Sequence, residues 1–541
     1  MTPPGDASAP CTRWLFADQL GPHFLGADQG PGGDEPDGGS GGGCESDGGE
    51  VLLVESTAVF RRRAYHRRKA HLVLSALRHR AAELGERAEL VRAGTYTEAL
   101  RGSRLAGRAG GTVTVCDPTS WAARRFVRRL ADGGVDGIPA GRVRVLPERG
   151  FAASPEEFGR WAAGRGRRRL LMDDFYRGQR RRFDLLLDHD GEPAGGSWSY
   201  DHDNREPPPR GARRLADAVD LPEPWWPDED DIDAEVRADL DRMAADGVRF
   251  VGDDGPRRFA VTRDEAWAAL DHFLDHRLAA FGPYEDAMLA GDRWMAHSLL
   301  SVPINLGLLH PVEVARAAEA RHRSGAAPLA SVEGFIRQVV GWRDYIWHMY
   351  WYGGEDYRDR NALGAHRALP AWFDDLDAGT RVRARCLSDV LAGVREEGWA
   401  HHIPRLMVLG NWASQRGYDP AATAEWFRTR FVDGYDWVMV ANVVGMATHA
   451  DGGLLATKPY VSGGAYIDRM SDYCGGCAYD PRVRVGEDAC PFTAGYWAYL
   501  DRNEHQLAGN QRMARAVAGL HRLRDRHEVA EQERRRGNGP P

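Results

Sequence analysis

Four cysteines in the C-terminal half are the residues whose types and spacing most directly suggest chemistry. Cys474-Gly-Gly-Cys477 is followed by twelve residues and then Cys490-Pro491, and the two glycines let the backbone turn tightly around a bound metal. Three thiolates leave one ligand wanting, and Cys386 is the only other cysteine in that half. Four thiolates satisfy tetrahedral zinc and a four-iron cubane equally well, so spacing does not choose between them, although the Cys-Pro ending leans toward iron-sulfur. Seven cysteines, an odd number without a secretion signal, do not form a disulfide framework. Cys11, Cys44 and Cys116 lie apart from the cluster.

Proton chemistry has a second candidate, the adjacent pair His401-His402. Imidazole gives and takes a proton near neutral pH, yet a lone pair of this kind also reads as ordinary packing. Asp18 and Glu55 follow or end short apolar runs, where a ligand crevice forms in open parallel sheets. No glycine-rich dinucleotide fingerprint accompanies them.

The elements that must position these residues divide the chain in two. Residues 1–150 alternate apolar runs at Thr12 to Phe16, Val51 to Glu55, Thr112 to Cys116 and Val143 to Leu146 with helical stretches at Tyr65 to Leu84 and Ser120 to Leu130. This predicts an α/β domain, a Rossmann-like parallel sheet covered by helices. The Gly-, Asp- and Pro-rich segment Gly26 to Glu50 reads as a flexible insertion. Residues 151–235 read as a connector laid on the surface, with Trp225 and Trp226 needing somewhere to pack. Residues 236–520 carry helical periodicity throughout and predict an all-α domain, and 521–541 reads as a charged tail whose end frays.

Length and charge bound the partners. A chain of 541 residues holds two or three domains and can bury a large cofactor. No apolar run spans a bilayer and the start resembles no signal peptide, so the expected location is cytoplasmic, without membrane contact. The net charge of -8 does not exclude a nucleic-acid partner, because a local patch of arginine suffices. Lys69 and Lys458 are the only lysines.

Longer motifs surround these residues: Phe175-Tyr176-Arg177; Gly195-Gly196 through Trp198, Tyr200, Asp201, Asn204 and Arg205; His297 to Ser301 with Asn305; Val332 to Gln338 and Gly341 to Arg343; Ala400 to Ile403, Arg405 to Met407 and Gly410-Asn411; Lys458-Pro459-Tyr460 to Gly464. Across nearly the whole chain they resemble the iron-sulfur bacterial cryptochrome and photolyase family. The resemblance implies a [4Fe-4S] cluster on Cys386, Cys474, Cys477 and Cys490. It also implies FAD, bent inside the helical domain, on Tyr284, His297, Ser298, Leu300, Ser301, Gln338, Arg343, Asp433, Tyr435, Met439 and Asn442. Methionine at 439, where relatives carry a polar side chain opposite the reactive flavin nitrogen, predicts a poorly stabilised neutral flavin radical.

The same resemblance implies light-driven repair of UV-damaged DNA, most of all the (6-4) photoproduct, with His402 as proton donor, His401 in support and Tyr460 against the lesion. Electrons would reach the flavin through Trp426, with Tyr435 and Tyr466 as partners. The stretch Asp374 to Arg385 lacks the aromatic residue that relatives carry, which interrupts the outer route. A 6,7-dimethyl-8-ribityllumazine antenna is implied at Asp18 and Glu55. No obligate protein partner is evident, and a monomer is expected. Two other functions share these features: a blue-light photoreceptor with the same cofactors, and a flavin-free, metal-bound DNA-binding protein.

Overall fold

The computed structural model describes residues 11–26, 49–108, 111–376 and 381–541. Most of the insertion read at 26–50, together with Cys44, lies outside the described residues.

Five parallel strands form the N-terminal sheet: β1 (Cys11–Leu15), β2 (Glu50–Ser56), β3 (Ala88–Ala93), β4 (Thr112–Cys116) and β5 (Val143–Leu146). Their order is β3-β2-β1-β4-β5, so the chain reverses its winding direction beside β1. The sequence reading finds four of the five strands. β3, Ala-Glu-Leu-Val-Arg-Ala, escapes it because an edge strand is only half-buried and shows no continuous apolar run. The helix Arg67–Leu84 covers one face, burying Leu72, Leu74, Ala76 and Leu77.

The helical half begins in earnest at the helix Arg263–His276, whose Thr262 and Glu265 make a reciprocal cap. The helix Pro311–Arg323 follows the sequence reading residue for residue, with Pro311 at its first turn. The long periodic stretch Val332 to Tyr350 is one helical path interrupted by a π-helical turn at Arg337–Trp342. Two more such turns occur at Pro404–Gly410 and Ala441–Ala447. π turns concentrate at functional sites, and these three abut Gln338, the His401-His402 pair and Asn442.

Three domain readings need correction. Residues 151–187 are not a surface connector: Phe158, Phe175 and Tyr176, on the capped helix Pro155–Gly164 and the helix Met172–Phe183, are buried, and Phe151 stacks on Trp347 at 4.1 Å. Apolar residues at helical spacing drive that segment into the core whatever the composition around it. The helix Asp231–Ala245 belongs to the N-terminal half, packing on Arg67–Leu84, while Phe250–Val251 pairs with Tyr65–His66. The C-terminal residues form the helix Arg526–Arg536, held by a buried Arg416–Glu533 ion pair, and the Pro541 carbonyl accepts from Arg383 N (2.5 Å) and Ala384 N (3.1 Å). Burial of one glutamate against a buried arginine outweighs the charged composition of the rest. No helix among the described residues is long and apolar enough to cross a membrane.

Candidate active site and cysteine centre

Two segments converge on the proposed proton donor. The loop after Asp292 carries His297, and the turn leading into Pro404–Gly410 carries His401 and His402. The rings of His297 and His401 stack at 4.2 Å, and His402 meets His297 edge-on at 5.6 Å. Burial holds His297 and His401 well below the usual histidine range, and neighbouring imidazoles push them further the same way, so both are neutral. His402 is the accessible member, its side chain 49% exposed, with Nε2 donating to the Asp286 carboxylate at 3.3 Å. Tyr460 is half-buried, and burial, the largest cause, raises its phenol, with the charges of Arg205, Asp201, Arg512 and Asp173 also acting on it. Lys458, two residues before it, and Arg512 are exposed, as is Arg469 over the Tyr466 ring at 5.6 Å, and none of the three has an ion-pair partner among the described residues.

Beneath the histidines lies a buried ion pair. Asp433 accepts two bonds from Arg405 (2.8 and 3.0 Å) and one from the Ser301 hydroxyl (2.8 Å), while its carbonyl takes the Asn305 amide at 3.4 Å. This bidentate fork ties the His297 loop to the His402 turn. The loop itself is strained: Met295 and Leu299 both adopt left-handed backbone (φ 45° and 60°) on either side of His297-Ser298. For large apolar side chains that conformation persists only where surroundings impose it, and it gathers at ligand clamps. His297 Nε2 and His401 Nδ1 are buried without a hydrogen-bond partner among the described residues. A polar cofactor lying against this loop would satisfy them.

The other expected flavin residues are distributed unevenly. Tyr284 ends the helix Leu278–Tyr284, and Gln338 is half-buried in its π turn. Leu300 is buried, and the Ser298 hydroxyl accepts from its amide at 3.4 Å. Met439 is buried, and the Asn442 amide donates to the Val438 carbonyl at 2.8 Å. Tyr435 faces the seam with the N-terminal half, under Lys69 Nζ at 5.6 Å. Arg343 stacks on Phe151 (4.1 Å) and Trp437 (5.3 Å) and donates to the Gly150 carbonyl. Trp426 is buried among Phe373, Phe427 and Phe431, and no ring contact joins it to Tyr435 or Tyr466 among the described residues.

Sequence reading missed Asp286, because 116 positions separate it from His402. It also missed Glu285, which burial pushes up to about 7 beside Arg337. Arg405 was visible within a motif, and its spacing of four from His401 was the available signal.

Cys386, Cys474, Cys477 and Cys490 line one cavity with Gly464, Tyr473 and Phe492. A Cβ on Gly464 would sit 2.8 Å from Cys490 Sγ, so glycine is required there. Burial and the neighbouring sulfurs push Cys386 well above the usual thiol range, and burial lifts Cys474 to about 12. Burial raises Cys490 as well, and thiols gathered around one cavity are suited to a bound cation. The ligand trios within 4.8 Å among the described residues are His297–His401–His402 and His79–Asp230–Asp233, with no cysteine trio among them.

At the winding reversal beside β1, Thr119 Oγ1 donates to Asp18 at 2.6 Å and Gln19 Nε2 to the Cys116 carbonyl at 3.1 Å. Burial raises Asp18 from its ordinary value, against the hydrogen bond from Thr119. Glu55 does not join this crevice, because Arg78 grips it at 2.7 and 3.0 Å on the helix-covered face.

Known proteins share this organisation. Residues 42–249 match the family model "deoxyribodipyrimidine photo-lyase-related protein". A (6-4) photolyase of Agrobacterium fabrum is 39% identical over 490 residues, 88% of this chain and 92% of that protein. The fold aligns with a bacterial class III photolyase from Agrobacterium tumefaciens at TM-score 0.57 and 14% identity, covering 99% of this chain and 98% of the other. It also aligns with a cryptochrome from Synechocystis at 0.51 and 13%, covering 98% and 100%.

Proposed function

This chain belongs to the bacterial photolyase and cryptochrome family, and on that premise we propose that it is a photolyase that reverts (6-4) photoproducts in DNA, with His402 as the proton donor. The observation that carries the reading is the division of labour among three histidines: two buried and neutral, one accessible and hydrogen-bonded to Asp286. A lesion extruded from the duplex reaches only the accessible one. His401 stacks on His297 and thereby fixes the position of His402.

FAD, when bound along the His297 to Ser301 loop, supplies the light-driven electron. The unpartnered His297 Nε2 and the strained Met295 and Leu299 support that placement. Tyr284, Ser298, Leu300, Gln338, Asp433, Met439 and Asn442 complete the proposed wall, while Arg343 supports it from behind through Phe151 and Trp437. Asp433 orients both halves of the site through Arg405 and Ser301. Tyr460, near Arg205 and Arg512, meets the damaged strand, and the exposed Lys458, Arg469 and Arg512 neutralise phosphates. The four cysteines hold a [4Fe-4S] cluster that pins the C-terminal loop to the helix Arg385–Glu397. The crevice at Asp18 takes a lumazine antenna.

The test is anaerobic, photoreduced repair of an oligonucleotide carrying one (6-4) lesion, comparing wild type, His402→Ala and a dark control. Light-dependent restoration that the substitution abolishes is the expected result. A protein that carries reduced FAD and binds the lesion without repairing it would instead be a photoreceptor.

A further inference from the structure

The helix Arg526–Arg536 is docked by polar bonds more than by an apolar face. Only Val529 and Glu533 of it are buried, and the Glu533 carboxylate pairs with Arg416. Two of its side chains, and Asp525 just before it, reach the loop between Cys477 and Cys490. The Asp525 carboxylate accepts Arg484 Nε at 2.8 and 2.9 Å, while Gln532 accepts the Gly486 amide at 2.8 Å and donates to the Arg484 carbonyl at 3.2 Å. Arg536 donates to the carbonyl of Ala489, next to Cys490, at 3.4 Å and lies over the Tyr479 ring at 6.0 Å. The residues after the helix hold a second wall. The Asn538 carbonyl accepts Trp372 Nε1 at 2.7 Å, and the Pro541 carbonyl accepts the amides of Arg383 and Ala384, just before Cys386. Tyr479 and Ala384 both line the cysteine cavity.

We infer that residues 525–541 form a latch over the cysteine cavity: the metal-sulfur group enters before this segment docks, and leaves only when it lifts. The inference rests on the cluster reading above. Between Cys477 and Cys490 the loop has no helix or strand, only turns and the bridge from Asp480 to Ala489, so its position depends on what lies against it. Arg385 N donates to Cys477 Sγ at 3.5 Å, which ties that loop to the start of the helix bearing Cys386. A group bound to all four cysteines is enclosed once both walls are held, and its passage requires latch bonds to break. Each neutral hydrogen bond slows such a local opening by roughly two- to tenfold.

The test follows iron release from the anaerobically purified full chain to an excess of a ferrous chelator, and the reverse reaction, uptake of iron and sulfide by the apoprotein. Gln532→Ala removes two hydrogen bonds from a half-buried side chain, a change the fold tolerates, and is expected to speed both reactions by about tenfold. Adding Asp525→Ala speeds them further. Removing residues 538–541, which touch the other wall, acts in the same direction. Arg535→Ala, exposed and paired only with Glu531 in its own helix, keeps the wild-type rates. Wild-type rates in Gln532→Ala, or an equal acceleration in Arg535→Ala, overturn the inference alone. A wild-type chain that holds no iron when purified and takes up none overturns the cluster reading, and the latch with it.

Discussion

Replacing Cys386 by alanine separates a structural from an incidental role for the cysteine centre. Cys386 sits in the helix Arg385–Glu397, and its three partners lie in the loop beyond Met470. A group bound to all four therefore closes a span of 88 residues between Cys386 and Cys474. Treated as a chain cross-link, that closure removes enough denatured-state entropy to stabilise the fold by ~4.6 kcal/mol at 25 °C. The neighbouring segment keeps anchors of its own, Met288 N to Met470 O at 2.8 Å and Ala290 N to Asp472 at 2.9 Å. Opening should thus be confined to residues 473–490. Hydrogen exchange read alongside iron content is the assay. Cys386→Ala is expected to lose iron, and the amides of 473–490 to exchange faster by up to about three decades, at 1.36 kcal/mol per decade. Wild-type iron in the variant, or unchanged protection once iron is gone, refutes the reasoning.

Three further outcomes are expected. Asp433→Asn leaves Arg405, 17% exposed, without its fork, a loss of ~2–4 kcal/mol; FAD titration of the apoprotein should show at least about tenfold weaker binding, and an unchanged Kd contradicts the role given to the pair. Burial raises Glu285 from 4.5 to about 7, so the fold binds more protons than the unfolded chain between those values, and this group's contribution is full below pH 4.5 and lost as pH rises through 7. Glu285→Gln should therefore stabilise the protein at pH 8 by ~3 kcal/mol, and thermal midpoints that run parallel with pH in both proteins rule this out. Arg512→Ala should weaken binding of damaged duplex and reduce the salt slope by about one; an unaltered slope removes Arg512 from the DNA surface.

The sequence by itself determined the parts that depend on local pattern. Four of the five strands, the helix Pro311–Arg323 and the cysteine spacing were legible because alternation, helical period and CxxC turns are short-range signals. The edge strand Ala88–Ala93 was not, since half-burial erases its pattern. Motif resemblance supplied the histidine pair but could not say which of its members is reachable. Tertiary structure decided that, by burying His401 against His297 and leaving His402 open beside Asp286. It likewise spent Glu55 on Arg78, turned Arg343 toward Phe151, and laid Gln532 against Gly486, 46 positions away. Burial, charge pairing and ring contact are properties of side chains brought together across the chain, and no local period encodes them.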